Sequence, residues 1–293
     1  MTALRVVVVG DVMLDVVTRP TAPVAPTSDT PAQASVGRGG SGANVAAALA
    51  SSGAAVTYVG AVGRDGAAAV VLADLSRDGV RARLEEFDGP TGVVVAIVAP
   101  DGQRAMMTDR GVNSRLTTEH VTAALDEPFD HLHVSGYTVL DENTRSVATG
   151  ALELARRQGA STSVDVCSVA PLRAVGSATF LAAVANASTL FANEEEATTL
   201  AERTGLDEAL ELLSARFAEV VVTRGANGAV ARRREQEWRT PATATQVVDT
   251  TGAGDAATGA YLGSSLLQVS PEESLAAAMA AAALVVAGVG ARG

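Results

Sequence analysis

Residues 4–10 read LRVVVVG, four consecutive valines closed by a glycine. A continuous β-branched run of this length fits a strand buried on both faces, the kind found inside parallel sheets. Working outward, residues 19–36 turn rich in Pro, Thr and Ser and leave the main rhythm. NVAAALASSGA (44–54) predicts a helix ending at Gly53, VTYVGAVG (56–63) a strand, and AAAVVLADLSRDG (67–79) a helix closed by a glycine. Residues 92–108 predict two β runs around Pro100-Asp101-Gly102. The rhythm then resumes with a strand at 131–136, a helix at 142–158 and strands at 161–166, 189–193 and 218–225. An antiparallel pair and two Ala-rich helices complete the chain. Strands alternating with helices imply an α/β fold with one doubly wound, mostly parallel sheet. The β-only stretches, about 12–40 and 90–110, are expected to form a small sheet beside it, within a single domain over 1–293.

Composition narrows the function. Net charge is −11, which argues against nucleic-acid binding, since that needs a basic face. All 22 basic residues are arginine. Without lysine there is no Walker P-loop, no protein-kinase strand lysine and no Schiff base. Cys167 is the only cysteine, so no intrachain disulfide or thiolate cluster forms, and it reads as a small buried apolar residue. His131 and His133, spaced by two in HLHV, read as strand residues rather than metal ligands. The N-terminus lacks the pattern of a signal peptide. Residues 274–291 are uncharged but mostly Ala and Gly, and read as a buried helix rather than a membrane span. The expected location is the cytoplasm, away from membranes.

Four motifs carry chemistry. Asp249-Thr250-Thr251-Gly252-Ala253-Gly254-Asp255 opens a helix expected to start near Gly254-Asp255. The backbone N–H groups of Gly252, Ala253 and Gly254 are bare and suit an anion. A carboxylate beside that site makes sense if Asp255 removes a proton from a hydroxyl attacking a phosphate; as a plain helix cap it would not need three small neighbours. GRGGSGAN (37–44) contains Gly37-x-Gly39-x-x-Gly42, a weak dinucleotide fingerprint because the strand at 4–10 lies far upstream. It reads equally as bare backbone approaching a polar ligand, with Asn44 offering an amide, or as a packing loop. Asp11 and Asp15 follow the first strand, at the carboxyl edge where α/β sheets bind ligands. Asn193 and Glu196 also follow a strand: they suit a helix cap, or the water around Mg²⁺ on a nucleotide.

Taken in order, GRGGSGANVAAALASSGAAVTYVGAVGRDG, N-x-x-E and VVDTTGAGDAATGAYL resemble the ribokinase-like (PfkB-type) family of carbohydrate kinases over essentially the whole chain. The resemblance implies a three-layer αβα sandwich carrying a small β lid. It also implies transfer of the ATP γ-phosphate to a hydroxyl of a small polyhydroxy substrate. By motif position Asp255 would be the base, with the amides of Gly252, Ala253 and Gly254 as the anion hole. Asp15, Gly39, Gly40 and Asn44 would hold the acceptor. Asn193 and Glu196 would support Mg²⁺-ATP, and Thr223 and Gly225 would lie along the nucleotide. Asp249 and Thr251 match positions that bind a monovalent cation, K⁺, in many members. Met13 and Ser135-Gly136-Tyr137 depart from ribokinases proper, so ribose is not carried over. A nucleoside kinase would place an apolar surface in the lid, with Met13, Val95 and Met106 as candidates. A non-catalytic sensor on the same fold and a dinucleotide-dependent oxidoreductase are the alternatives from other classes. Lid edges that pair across a two-fold axis would give a homodimer.

Overall fold

The first strand shows how the core is divided. Val6 and Val8 pack into one apolar cluster and Val7 and Val9 into another, because successive side chains leave opposite faces of a sheet. The computed structural model describes residues 4–99 and 104–288. In chain order they form β1 (Arg5–Val9), β2 (Met13–Pro20), β3 (Ala32–Gly39), α1 (Ser41–Ser51), β4 (Ala55–Gly63), α2 (Gly66–Arg77) and β5 (Arg81–Phe87). Next come β6 (Gly92–Val98), β7 (Arg104–Asp109), α3 (Thr118–Leu125), β8 (His131–Val134), α4 (Gly136–Leu140) and α5 (Arg145–Arg157). These lead to β9 (Ser161–Asp165), α6 (Val169–Val175), α7 (Ser177–Ala183), β10 (Thr189–Asn193), α8 (Glu194–Ala201) and α9 (Leu206–Ser214). The last are β11 (Glu219–Thr223), β12 (Ala229–Arg233), β13 (Gln236–Thr240), α10 (Ala253–Leu266) and α11 (Pro271–Val286).

Nine strands form the main sheet in the order β13-β12-β11-β10-β9-β8-β1-β4-β5, parallel except for β12 and β13. One face is covered by α1, α2, α10 and α11, the other by α3 to α9. The chain runs outward from β1 through β4 to β5, then returns to the other side of β1 as β8. The direction of winding therefore reverses between β1 and β8, where α/β sheets open a crevice at their carboxyl edge. A second sheet, β3-β2-β6-β7, is built wholly from the two β-only stretches. Strand β2 starts three residues after β1 ends, so this sheet stands at that same edge.

Several boundaries move from their sequence expectations for local reasons. GRGGSGAN is not a free loop: Gly37 and Gly39 pair in β3 with Asp15 and Met13 of β2, and α1 already begins at Ser41. A dinucleotide-binding βαβ turn is thereby ruled out at this place. The helix expected at 142–158 is α5, and a short helix that the sequence did not suggest, α4, precedes it over Gly136–Leu140. Pro100-Asp101-Gly102 lies outside the described residues. His131 and His133 are fully buried in β8; both ring nitrogens of His131 are bonded, to Ser161 and Ser163, and Nδ1 of His133 is bonded to Ser163. Among the described residues, no helix is long and apolar enough to cross a membrane.

Candidate active site

Helices α1 and α10 approach so closely that glycine is needed between them. A Cβ on Gly259 would overlap the Ala48 methyl and lie 3.0 Å from the Leu49 nitrogen; on Gly263 it would lie 2.5 Å from the Ser52 Cβ. This approach brings the first turns of the two helices together. There the Asp255 carboxylate accepts from Ser41 Oγ at 2.8 Å and from Asn44 Nδ2 at 2.8 Å. Ser41 Oγ also lies 3.2 Å from Asp165 Oδ2. A hydroxyl has one hydrogen, so Ser41 satisfies only one of the two carboxylates at a time.

The carboxyl ends of the parallel strands supply the floor. Asp11 follows β1, Ser135 follows β8, Asp165 ends β9, Asn193 ends β10 and Thr223 ends β11. Asp11 Oδ1 accepts from the Gly42 amide at 3.3 Å and from Ser135 Oγ at 3.1 Å. Gly40 enters α1 at φ 89°, and a Cβ on Gly42 would come within 2.7 Å of Gly10 Cα. These two positions explain why the entry into α1 needs bare backbone.

A cavity of about 780 Å³ lies over this floor. Of the residues singled out in the sequence, Asp15, Gly40, Asn44, Asn193, Glu196, Thr223, Thr251, Gly252, Gly254 and Asp255 line it. Four others do not. Gly39 lies behind Asp15, and a Cβ there would fall on the Asp15 carboxylate. Ala253 is the first residue of α10. Asp249 is buried, and its Oδ1 accepts from the Thr251 amide at 2.9 Å and hydroxyl at 2.7 Å. Gly225 opens a short turn over Gly225–Asn227 and stands off the cavity. The second sheet contributes Met13, Val94 and Met106. Val94 replaces the expected Val95, because alternation along β6 turns Val95 away.

The sequence reading missed Arg38, Ser41 and Asp165, and took Cys167 for an inert apolar residue. Asp165 was detectable by the rule that drew attention to Asp11: it ends a strand at the carboxyl edge. Cys167 instead lines the cavity at φ 69°, and its thiol donates to Asp165 Oδ1 at 2.8 Å. Arg38, buried under a glycine-rich stretch, gave no signal beyond its odd company. Tyr137 also lines the cavity, with the Arg110 guanidinium 4.7 Å above its ring.

Electrostatics single out three carboxyls. Burial, then the nearby Asp165 charge, pushes Asp255 up to about 7, against the bonds from Asn44 and Ser41. Burial also raises Asp165, and pushes Glu196 up to about 7. Asn193 and Glu196 form a reciprocal capping box: Glu196 Oε2 accepts from the Asn193 amide at 2.8 Å, and Asn193 Oδ1 from the Glu196 amide at 2.9 Å. The helix-cap reading of this pair therefore holds, while both still line the cavity. Among the described residues no three His, Cys, Asp or Glu side chains cluster as a metal cage. Asn193 and Glu196 bring side-chain oxygens to the cavity wall, the donor type that Mg²⁺ takes directly or through water.

The model of the pfkB family of carbohydrate kinases matches residues 3–293. The chain therefore belongs to that family. It is 31% identical over 206 residues to an ATP-dependent ribose-1-phosphate kinase of Halopiger xanaduensis, a match covering 70% of this chain and 64% of that relative. The fold superposes on an adenosine kinase from Sinorhizobium meliloti with TM-score 0.91 and 26% identity, covering 100% of this chain and 96% of that one. An E. coli chain of the ribokinase II type, solved with ATP and Mg²⁺, matches with TM-score 0.87 at 18% identity, over 99% of this chain and 94% of that one. At that identity the likeness is one of fold.

Proposed function

We propose that this protein transfers the γ-phosphoryl group of ATP to a hydroxyl of a small sugar-like substrate. The observation that carries the reading is Asp255: a carboxyl pushed up to about 7, at the first turn of α10, facing a cavity and held by Ser41 and Asn44. A carboxyl that titrates near neutrality is still partly ionised at pH 7 and takes a proton more readily than an ordinary carboxylate. In the proposed chemistry the acceptor hydroxyl gives its proton to Asp255 as its oxygen attacks the γ-phosphorus and ADP leaves. The amides of Gly252, Ala253 and Gly254 stabilise charge on the transferring group. Asp15, Gly39, Gly40 and Asn44 form the acceptor side, Gly39 by leaving room for the Asp15 carboxylate. Asn193, Glu196, Thr223 and Gly225 form the nucleotide side. Mg²⁺ beside Asn193 and Glu196 would neutralise phosphate charge. Asp249 and Thr251 would hold a monovalent cation such as K⁺ under the anion loop.

The apolar wall of Met13, Val94 and Met106 favours a second reading, in which the acceptor carries a base-sized apolar group, as in a nucleoside. The test is ADP release with Mg²⁺-ATP against sugars, sugar phosphates, sugar acids and nucleosides, for the wild type and Asp255→Asn together. Activity abolished by Asp255→Asn with ATP binding retained supports the base; ATP binding without turnover on any acceptor favours a sensor. The second sheet would act as a lid, and its edge strands β3 and β7 carry exposed Val36, Met106 and Met107. Pairing of these edges in a homodimer would cover them; light scattering that returns only monomer rules this out.

A further inference from the structure

Arg38 has no place in the reaction above, because it does not line the cavity. Yet its side chain is 3% exposed, and a buried charge persists only where it is fully paired. Its Nε and Nη2 reach Asp78 Oδ2 at 3.2 Å and 3.1 Å, and its backbone amide donates to Asp74 Oδ2 at 2.9 Å. Its Nη1 donates to Asn44 Oδ1, and Asn44 Nδ2 donates to Asp255 Oδ2. The chain of contacts thus runs from the end of α2, through β3 and α1, to the first turn of α10.

We infer that Arg38 is a positioning residue, which fixes the Asn44 amide so that its Nδ2 faces Asp255. This inference rests on the proposed role of Asp255 and adds a residue to it. The argument is one of donor and acceptor count. A guanidinium only donates, and an ionised carboxylate only accepts. An amide between them has one favourable orientation: oxygen to Arg38, nitrogen to Asp255. The reverse would oppose donor to donor and acceptor to acceptor. The orientation therefore follows from the neighbours, whichever way the amide atoms are first assigned. With Oδ1 and one Nδ2 hydrogen committed, Asn44 has only its second N–H for the cavity. An acceptor hydroxyl there accepts from Asn44 through oxygen while giving its own hydrogen to Asp255, which aims a lone pair at the incoming phosphorus. Asn44 then acts as a donor alone, and Arg38 is what makes it so.

The experiment is a double-mutant cycle with Arg38→Met and Asn44→Ala, read in two ways. The first readout is the ¹³C titration of the Asp255 carboxyl, identified by its loss in Asp255→Asn; it needs neither substrate nor turnover. The second is kcat and KM on an accepted substrate. Asp165 and Asp11, the charged groups facing Asp255 from β9 and from the end of β1, stay in every variant. Arg38→Met is expected to raise the Asp255 midpoint, because a bond to the charged form weakens, and to lower kcat about tenfold. In the Asn44→Ala background it should change neither further. A shift that persists undiminished in that background means that the Arg38 charge acts through space, and overturns the inference; so does no shift at all. Should Arg38→Met not fold, Asp78→Asn loosens the guanidinium without deleting it, and the same non-additivity with Asn44→Ala is required. A protein that shows the non-additive titration but phosphorylates nothing would refute the kinase reading and leave the positioning of Asp255 standing.

Discussion

Asp255 sets what can be expected at the scale of single residues. In the proposed reaction its ionised form is the base, and burial pushes its midpoint up to about 7. The proposed kcat/KM should rise about tenfold per pH unit below that midpoint and level off above it, as a pH–rate profile would record. Asp255→Asn should lose about 10²–10⁴-fold in kcat. The same substitution should raise the melting temperature at pH 8. A carboxyl whose folded midpoint is raised from 3.8 to about 7 keeps a proton in the native state that the unfolded chain has released. Stability therefore falls as pH rises through that interval, and the penalty is complete above it. An amide escapes the penalty. Scanning calorimetry of both proteins at pH 5 and pH 8 gives the check: the variant's advantage should grow with pH. Asp255 itself stood out in the sequence because three small residues before a carboxylate exceed what capping needs. Of its partners only Asn44 stood out, and as a ligand contact rather than as a neighbour of Asp255. Ser41 and Asn44 meet it across separations of 214 and 211 residues, and no local pattern encodes such a meeting.

Among elements, the contact between α1 and α10 matters most. Gly259 lies against Ala48 and Leu49, so a larger side chain must push the helices apart. Gly259→Val should lower kcat at least tenfold while the far-UV spectrum stays helical, because Asp255 moves away from Ser41 and Asn44. Gly42→Ala meets backbone rather than a flexible side chain, at 2.7 Å from Gly10 Cα. It should destabilise by about 1–3 kcal/mol, read from the urea midpoint. The strand–helix alternation of the main sheet was legible because buried parallel strands leave unbroken apolar runs such as VVVV, while their helices alternate polar and apolar residues. The start of α1 was not, since glycine-rich sequence signals a loop whenever its packing partners are unknown. Here Gly37 and Gly39 pair in a strand, and Gly42 fits against β1's exit. The side of β6 that faces the cavity was also hidden, because in GVVVAIV every position is apolar and period two is silent.

The whole molecule answers to acid through β8. Burial pushes His131 and His133 down to about 3. Below their ordinary 6.5 the unfolded chain takes up protons that the native state refuses, so their contribution to stability is whole above about 6.5 and is lost as pH falls towards 3. His133 Nε2 is buried without a hydrogen bond, and the ring packs edge-on to Phe191 at 6.3 Å. His133→Phe should therefore stay within about 1 kcal/mol of the wild type at pH 7.5, having given up a single bond to Ser163. It should lose less stability between pH 7.5 and pH 4.5, as urea unfolding at the two values would measure.

The same long reach between Ser41 and Asp255 has a consequence for the nascent chain. During synthesis the main sheet has all nine of its strands by Thr240, while the carboxylate that meets Ser41 and Asn44 is still to be added. A ribosome carrying four fifths of this protein holds every strand of that sheet, but neither the α10 side of the cavity wall nor the base. Chains cut between Thr240 and α10 would leave Phe191 and Val221 without the cover of Tyr261 and Met279 and, if Asp255 is the base, would have none of the chemistry.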